Sequence, residues 1–203
     1  MLLKLYMHMK IKLLGKNLEE LKKLVADAGL PGFTAKQIAQ WLYVKKVRSI
    51  DDMTNLSKAA RASLSEKYEV GLTEYGGFQL SSDGTKKYLF PVKCAHRRGL
   101  NLSCNGKYPE NELEEGAVEA VMIPDDDRAT LCVSSQSGCR MGCKFCMTGR
   151  QGFHGHLSAA DIISQFIAVD ESDRLTNAVF MGMGEPLDNY DNVMRAIEIL
   201  TAD

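Results

Sequence analysis

The chain has 203 residues, of which 45% are hydrophobic and 25% charged, and these are ordinary values for a globular protein. They exclude a disordered, collagen-like or low-complexity chain. No apolar run approaches the roughly 18–20 residues that span a bilayer, which excludes a membrane-embedded protein. The net charge of −1 hides a basic first third, because residues 1–67 carry 13 Lys and Arg against 6 Asp and Glu. This distribution is compatible with binding of a nucleic-acid backbone, and the alternative is a solvated helical surface rich in lysine.

The basic segment shows helical periodicity. Apolar residues predict a first helix over 18–28, Thr34 with Gln37 predicts a capping box at the start of a second helix, and 56–68 predicts a third. These helices predict a small α-helical domain over residues 1–70. We expect Trp41 to belong to its core, with base stacking as the alternative.

No secretory signal precedes these helices, whether translation starts at Met1 or at Met9. We therefore expect a cytoplasmic protein in a reducing compartment. Cysteines that lie close together in such a compartment favour metal binding or redox chemistry over structural disulfides.

Strand patterns begin after residue 70. The predicted extension over 71–124 consists of a β-hairpin, a polar loop from Cys94 to Gly116 and a strand over 117–123. From residue 125 onward strands alternate with helices, and the predicted elements are a strand over 129–134, a helix capped by Ser158, a strand over 178–181 and a helix over 190–200. This alternation predicts parallel strands in an α/β fold, which two strand–helix units leave incomplete.

Three of the six cysteines form a C-x₃-C-x₂-C motif directly after a predicted strand. They are Cys139, Cys143 and Cys146. Three thiolates on one loop can hold three irons of a cubane cluster and leave the fourth iron open to a substrate. Zinc, with His154 or His156 as a fourth ligand, is one alternative, and unligated thiols are another.

The sequence segments around this motif resemble those of a known family. They read ATLCVSSQSGC over 129–139, CKFC over 143–146, QGF over 151–153 and FMGMGEPLDN over 180–189. Together they resemble the RlmN/Cfr family of radical S-adenosylmethionine RNA adenine methyltransferases. The helical words KQIAQWLY and DMTNLS resemble the accessory domain of its RlmN branch. The resemblance implies that residues 125–203 are the N-terminal part of an incomplete radical SAM partial barrel.

The resemblance also implies the cofactors. Cys139, Cys143 and Cys146 would bind a 4Fe–4S cluster whose free iron chelates S-adenosylmethionine, which is cleaved to a 5′-deoxyadenosyl radical. Gly184 and Glu185 would contact the methionine end of this cosubstrate. A carboxylate suits its ammonium group, and glycine permits a close approach of the backbone.

Two further side chains take roles from the resemblance. The strand period of two places Cys132 on the face opposite Leu131 and Val133, and the family uses this cysteine to resolve a covalent enzyme–RNA adduct through a transient disulfide. Glu119 is predicted on one strand face with Val121, an awkward place for an unpaired carboxylate. Such a site raises a carboxyl pKa and suits the proton acceptor that the family places there.

The implied reaction is methylation of C2 of adenine in 23S ribosomal RNA and, for the RlmN branch, in transfer RNA. A flavodoxin-type electron donor and a monomeric enzyme without membrane attachment complete this expectation. The methyl-carrying cysteine of the family has no counterpart in these 203 residues, so we expect a fragment or a truncated, inactive chain. The alternatives are a non-catalytic RNA-binding module with an Fe–S or zinc loop, and a radical enzyme of another substrate class.

Overall fold

The chain divides into two compact units, with the division between Gly71 and Leu72. The computed structural model describes residues 10–95 and 113–202. Most of the loop predicted from Cys94 to Gly116 lies outside the described residues, but the flanking strands reach Ala95 and resume at Leu113, so both ends of that prediction are wrong. Within the described ranges, no helix is long and apolar enough to cross a membrane.

The first unit is built from short helices and one small pair of parallel strands. Its elements are β1 (Ile11–Lys12), α1 (Leu18–Asp27), α2 (Thr34–Ala39), a π-helical turn (Gln40–Val44), a 3₁₀ turn (Ile50–Asp52), α3 (Lys58–Lys67) and β2 (Tyr68–Glu69). Leu21, Leu42 and Leu64 lie at its centre with at most 1% of their surface exposed. The helical periodicity therefore identifies the core of this unit.

The start of α2 differs from the prediction. Phe33 is the N-cap and makes no side-chain capping bond, while Thr34 is itself helical and buried. The helix begins one residue earlier, so the Gln37 N–H that a Thr34 cap would serve donates to the Phe33 carbonyl at 3.4 Å, and the Thr34 N–H donates to the Pro31 carbonyl at 2.9 Å. Since both backbone groups have carbonyl partners, neither half of the predicted capping box forms.

The second unit contains a sheet of five strands, given next in their order across the sheet. These strands are β3 (Gly77–Leu80), β4 (Lys86–Ala95), β5 (Leu113–Pro124), β6 (Ala129–Cys132) and β9 (Asn177–Val179). The first four are antiparallel neighbours, and β6 pairs with β9 in parallel, which confirms the α/β prediction. The sheet continues across the boundary predicted between residues 124 and 125, so residues 72–203 form one unit.

Helices α5 (Ala159–Ile167) and α6 (Tyr190–Leu200) follow β6 and β9 along the chain and pack against each other. The predicted cap of α5 is confirmed, because Ser158 forms a capping box with Asp161. In β6 the side chains alternate, with Leu131 buried and Cys132 half-buried. The strand period thus separates a closed face of the sheet from a more open one.

A buried tyrosine and a lysine fasten β4 to the segment after α5. The Tyr88 hydroxyl donates to Glu171 Oε2 at 2.6 Å, and Lys86 Nζ lies 2.5 Å from Glu171 Oε1 and 3.1 Å from Asp170 Oδ2. Burial and, to a smaller extent, the hydrogen bond to Glu171 raise the pKa of Tyr88. The group is a structural tie within the second unit.

We expect Leu131→Ala to lower the free energy of unfolding by about 3 kcal/mol, because this fully buried side chain would leave a cavity in the central strand pair. Urea unfolding followed by far-ultraviolet circular dichroism measures the change. Leu80→Ala is the matched control, since Leu80 is 63% exposed and its loss should cost less than about 0.5 kcal/mol. Equal losses in the two variants would contradict the expected role of Leu131.

Candidate functional site

The three motif cysteines lie on one loop that a small antiparallel pair of strands closes at its base. The strands are β7 (Gln136–Gly138) and β8 (Phe153–His156), with α4 (Met147–Arg150) between the loop and β8. Gln136 pairs with His156, and the Cys139 N–H donates to the Gly152 carbonyl at 2.9 Å. Both strands are too short to show a periodic pattern, and the sequence did not predict them.

Backbone bonds also shape the tip of this loop. The Cys146 N–H donates to the Cys143 carbonyl at 3.1 Å, and Gly142 has a φ of +65°. Cys143 is exposed, Cys139 and Cys146 are half-buried, and all three are free thiols. Among the described residues, no three His, Cys, Asp or Glu side chains are gathered closely enough to hold a metal ion.

The thiols of the loop suit a metal that prefers sulfur ligands. Backbone N–H groups of Gly149 and, to a smaller extent, Thr148 lower the pKa of Cys146. The thiolate is the form of cysteine that binds metals. The loop therefore offers three thiols of the chemistry that such a metal prefers, one of them biased toward thiolate, although the three side chains are not gathered around one point in this structure.

His156 is not placed to complete a zinc site. Its side chain is buried, Nδ1 lies 3.0 Å from Gln136 Nε2, and Nε2 lies 3.1 Å from Arg140 Nη2. Burial lowers the pKa of this ring. The other candidate, His154, has Nε2 at 3.2 Å from the Gln151 carbonyl. Because both ring nitrogens of His156 face protein groups, the zinc alternative loses its buried candidate ligand.

Gly184 and Glu185 follow β9 and lie against the first residue of β7. Gly184 has a φ of +97°, and a Cβ there would lie 2.5–2.8 Å from atoms of Gln136. The Glu185 N–H donates to Gln136 Oε1 at 2.8 Å, and Glu185 Oε1 accepts from the Leu187 N–H at 3.0 Å. The structure thus brings this pair next to the strand that leads into the cysteine loop.

Cys132 and Glu119 share the more open face of the sheet. The register places Val121 opposite Cys132, and Glu119 lies two residues before Val121 on β5. Burial raises the pKa of the half-buried Cys132 thiol. The Glu119 side chain is 44% exposed, and its Oε1 lies 3.1 Å from Lys87 Nζ. The expectation of an unpaired carboxylate in an apolar setting is therefore wrong, because the register brings a lysine from β4 to it.

Sequence reasoning missed a polar network between the two halves of this region. Asp188 Oδ2 accepts from Gln136 Nε2 at 2.8 Å and lies 2.8 Å from Arg140 Nε. Arg140 and Gln136 both reach His156 as well. Gln136 and Asp188 stand inside the quoted sequence segments, but they are 52 positions apart, and no local pattern indicates that they meet.

Two family models match this chain. A family model described as the ribosomal RNA large subunit methyltransferase N-terminal domain matches residues 11–70. The model of the radical SAM superfamily matches residues 133–203, which include the cysteine loop and the Gly184–Glu185 pair.

Similar proteins match nearly the whole chain. A probable dual-specificity RNA methyltransferase RlmN of Bacteroides thetaiotaomicron is 53% identical over 192 residues, which are 95% of this chain and 50% of that protein. A dual-specificity RNA methyltransferase RlmN of Geotalea uraniireducens is 42% identical over the same shares of the two chains. The crystal structure of a radical SAM methyltransferase from Sphaerobacter thermophilus superposes with a TM-score of 0.76 at 32% identity, over 95% of this chain and 52% of that one. The chain spans about half the length of the curated relatives it matches.

We expect Gly184→Ala to lower the free energy of unfolding by about 3 kcal/mol, because a side chain there is strained by the positive φ and collides with Gln136. Gly152→Ala is the matched control. Gly152 has a φ of +84° with no atom within 4 Å of its Cβ position, so only the strain of about 1 kcal/mol should remain. Urea unfolding measures both, and equal losses would contradict the close packing on Gln136.

We expect the alkylation of Cys146 by iodoacetamide to reach half its maximal rate at lower pH in the folded chain than in the urea-unfolded chain. The Gly149 N–H stabilises the thiolate and lowers the pKa. For Cys132 we expect the opposite displacement, because burial raises its pKa. Pulse alkylation of the iron-free protein, read by mass spectrometry at each cysteine, measures the two profiles. If folding moved the pH of half-maximal alkylation in the same direction at Cys146 and Cys132, the environments assigned to these two thiols would be contradicted.

Proposed function

Since the chain belongs to the RlmN family of radical SAM proteins, we propose that it carries the cofactor-binding region of an enzyme that methylates C2 of adenine in RNA. One observation supports this most directly: the cysteine loop and the Gly184–Glu185 pair are joined through Gln136. A radical enzyme of this kind needs its cluster ligands and its cosubstrate contacts at one place, and residues from two distant parts of the chain meet here.

In this proposal Cys139, Cys143 and Cys146 are the ligands of a 4Fe–4S cluster. Such a cluster, when bound, supplies the electron for the reductive cleavage of S-adenosylmethionine. Three thiolate ligands leave one iron without a protein ligand, as a cluster that also binds a cosubstrate requires. The lowered pKa of Cys146 and the exposure of Cys143 support the assignment, because one favours the thiolate and the other gives iron access.

Gly184 and Glu185 are proposed to bind the methionine end of the cosubstrate. Gly184 offers backbone without a side chain, and the half-buried Glu185 offers a carboxylate for an ammonium group. One bond from the Leu187 N–H holds this carboxylate. A carboxylate accepts several hydrogen bonds, so that bond orients the group and leaves capacity for the ligand.

Glu119 is proposed as the proton acceptor and Cys132 as the thiol that resolves the RNA adduct through a transient disulfide. Both side chains belong to the open face of the sheet, as two groups that act on one adduct require. Burial raises the pKa of Cys132 and keeps this thiol protonated at neutral pH. The thiol is therefore protected from indiscriminate oxidation, since the thiolate is the reactive form.

The first unit is proposed to bind the RNA substrates, 23S ribosomal RNA and transfer RNA. Its excess of Lys and Arg suits a phosphate backbone. Trp41 is half-buried rather than enclosed in the core; its indole N–H donates to Asn55, and Lys45 Nζ lies 3.7 Å from its ring centroid. An aromatic ring with a cation on its face offers both stacking and charge to RNA. We further propose a monomeric cytoplasmic protein that receives electrons from a flavodoxin-type donor.

Anaerobic reconstitution with iron and sulfide tests the cofactor assignment. We expect the wild-type chain to take up iron and sulfide in the ratio of a 4Fe–4S cluster, with the brown absorption of that cluster. Added S-adenosylmethionine should then change the electron paramagnetic resonance spectrum of the reduced protein. Cys143→Ala should lose most of the iron, because two thiolates cannot hold the cluster.

Cys132→Ala is the matched control for this experiment. It removes a thiol from the same unit but outside the loop, so iron uptake should stay at the wild-type level. A colourless protein that binds zinc would overturn the cluster assignment. Equal iron losses in the two variants would overturn the proposed ligand set.

A further inference from the structure

Gln136 is a buried side chain whose polar atoms bond to two separate parts of the proposed site. It has none of its surface exposed. Oε1 accepts from the Glu185 N–H at 2.8 Å, Nε2 donates to Asp188 Oδ2 at 2.8 Å, and Nε2 lies 3.0 Å from His156 Nδ1. The acceptor and one donor of this amide therefore have bonded partners, and the contact of Nε2 with His156 depends on which ring nitrogen carries the proton.

Arg140 makes a second connection in the same network. It follows Cys139 directly and lies 2.8 Å from Asp188 Oδ2 through Nε. Its guanidinium carbon lies 4.1 Å from the ring centroid of Phe153, and Nη2 lies 3.1 Å from His156 Nε2. Two side chains therefore connect the cysteine loop to Asp188. Gln136 does so from the base of the loop, and Arg140 does so from the position after Cys139.

The turn that carries Glu185 has little freedom to move away from Gln136. Gly184 packs on the Gln136 backbone and Cβ, so closely that no side chain fits between them. The Gln136 N–H also donates to the Met183 carbonyl at 3.2 Å. The Gln136 amide also fixes the orientation of this turn. It bonds to the backbone N–H of Glu185 and to the carboxylate of Asp188, which lie on either side of Pro186.

A buried amide of this kind is not needed to fill space. An apolar side chain of similar volume would avoid the cost of removing a polar group from water. What the amide adds is a fixed geometry, since each of its bonds requires one arrangement of the partner. These bonds converge on the segment of Glu185.

We propose that Gln136 is a positioning residue that holds the Gly184–Glu185 segment in register with the cysteine loop. Through its bonds to Glu185 and Asp188 it keeps the Glu185 carboxylate where the ammonium group of the cosubstrate arrives. The identity of that ligand rests on the proposed function, whereas the bonds to Glu185 and Asp188 do not.

Hydrogen exchange of the full iron-free chain tests the positioning directly. We expect Gln136→Ala to accelerate exchange of the Glu185 amide by about tenfold, because its acceptor is lost. Tyr88→Phe is the matched control; it removes a buried hydrogen bond of the same unit at Glu171 and should leave the Glu185 amide unchanged. Equal exchange at Glu185 in the two variants would overturn the proposal.

A donor–acceptor exchange separates positioning from simple loss of packing. Gln136→Glu sets one carboxylate against that of Asp188, and we expect faster exchange at Glu185 although an acceptor remains. The double variant Gln136→Glu with Asp188→Asn reverses donor and acceptor between these two side chains, although it also removes the ion pair of Asp188 with Arg140, and it should make exchange at Glu185 slower than in Gln136→Glu alone. Failure of this rescue, with both proteins folded, would overturn the role of the hydrogen bonds.

Binding of S-adenosylmethionine to the cluster-loaded protein completes the test. At full iron content we expect Gln136→Ala to weaken binding by about tenfold and Tyr88→Phe to leave it unchanged. Wild-type affinity in Gln136→Ala would overturn the positioning role. A wild-type chain that takes up no cluster would instead overturn the proposed function, while the exchange measurement still decides whether Gln136 holds the turn.

Discussion

The pairing of β7 with β8 is the constraint on which the rest of the site depends. By joining Gln136 to His156 it returns the chain to the start of the cysteine loop, and the bond from Cys139 to Gly152 fixes the loop where it leaves the strand. The same pairing presents the Gln136 side chain to the turn that follows β9. A loop without this closure would carry the same three thiols but would have no defined relation to Gly184 and Glu185.

The cysteines differ in pKa because they differ in burial and in the backbone N–H groups beside them. Cys132 lies on a half-buried strand, where burial raises its pKa, whereas Cys146 lies at an exposed turn, where the Gly149 N–H lowers it. The proposed roles use this difference. A metal ligand benefits from a thiolate, whereas the thiol proposed to act on an RNA adduct is protected from oxidation in the resting protein while it stays protonated.

Much of the fold could be predicted wherever periodicity acts over several turns or a local cap forms. The helix predicted over 190–200 has those bounds in the structure, and Ser158 caps its helix as expected. The cap predicted at Thr34 is wrong because the Phe33 carbonyl accepts from the Gln37 N–H, the group that this cap would serve. The prediction that Glu119 is unpaired is wrong because its partner, Lys87, lies on another strand. A strand pattern shows which face of the sheet a residue occupies but not which residue of the next strand lies beside it.

The sequence by itself determined the types of the main elements, the spacing of the three cysteines and the resemblance to a radical SAM methyltransferase family, because these are properties of residues close along the chain. Only the tertiary structure decided which distant groups meet. Gln136 reaches Glu185 across 49 positions because the parallel pairing of β6 with β9 brings both strand ends to one edge of the sheet. Contacts of this kind depend on register and on the close approach that Gly184 allows, and neither is encoded in a local pattern.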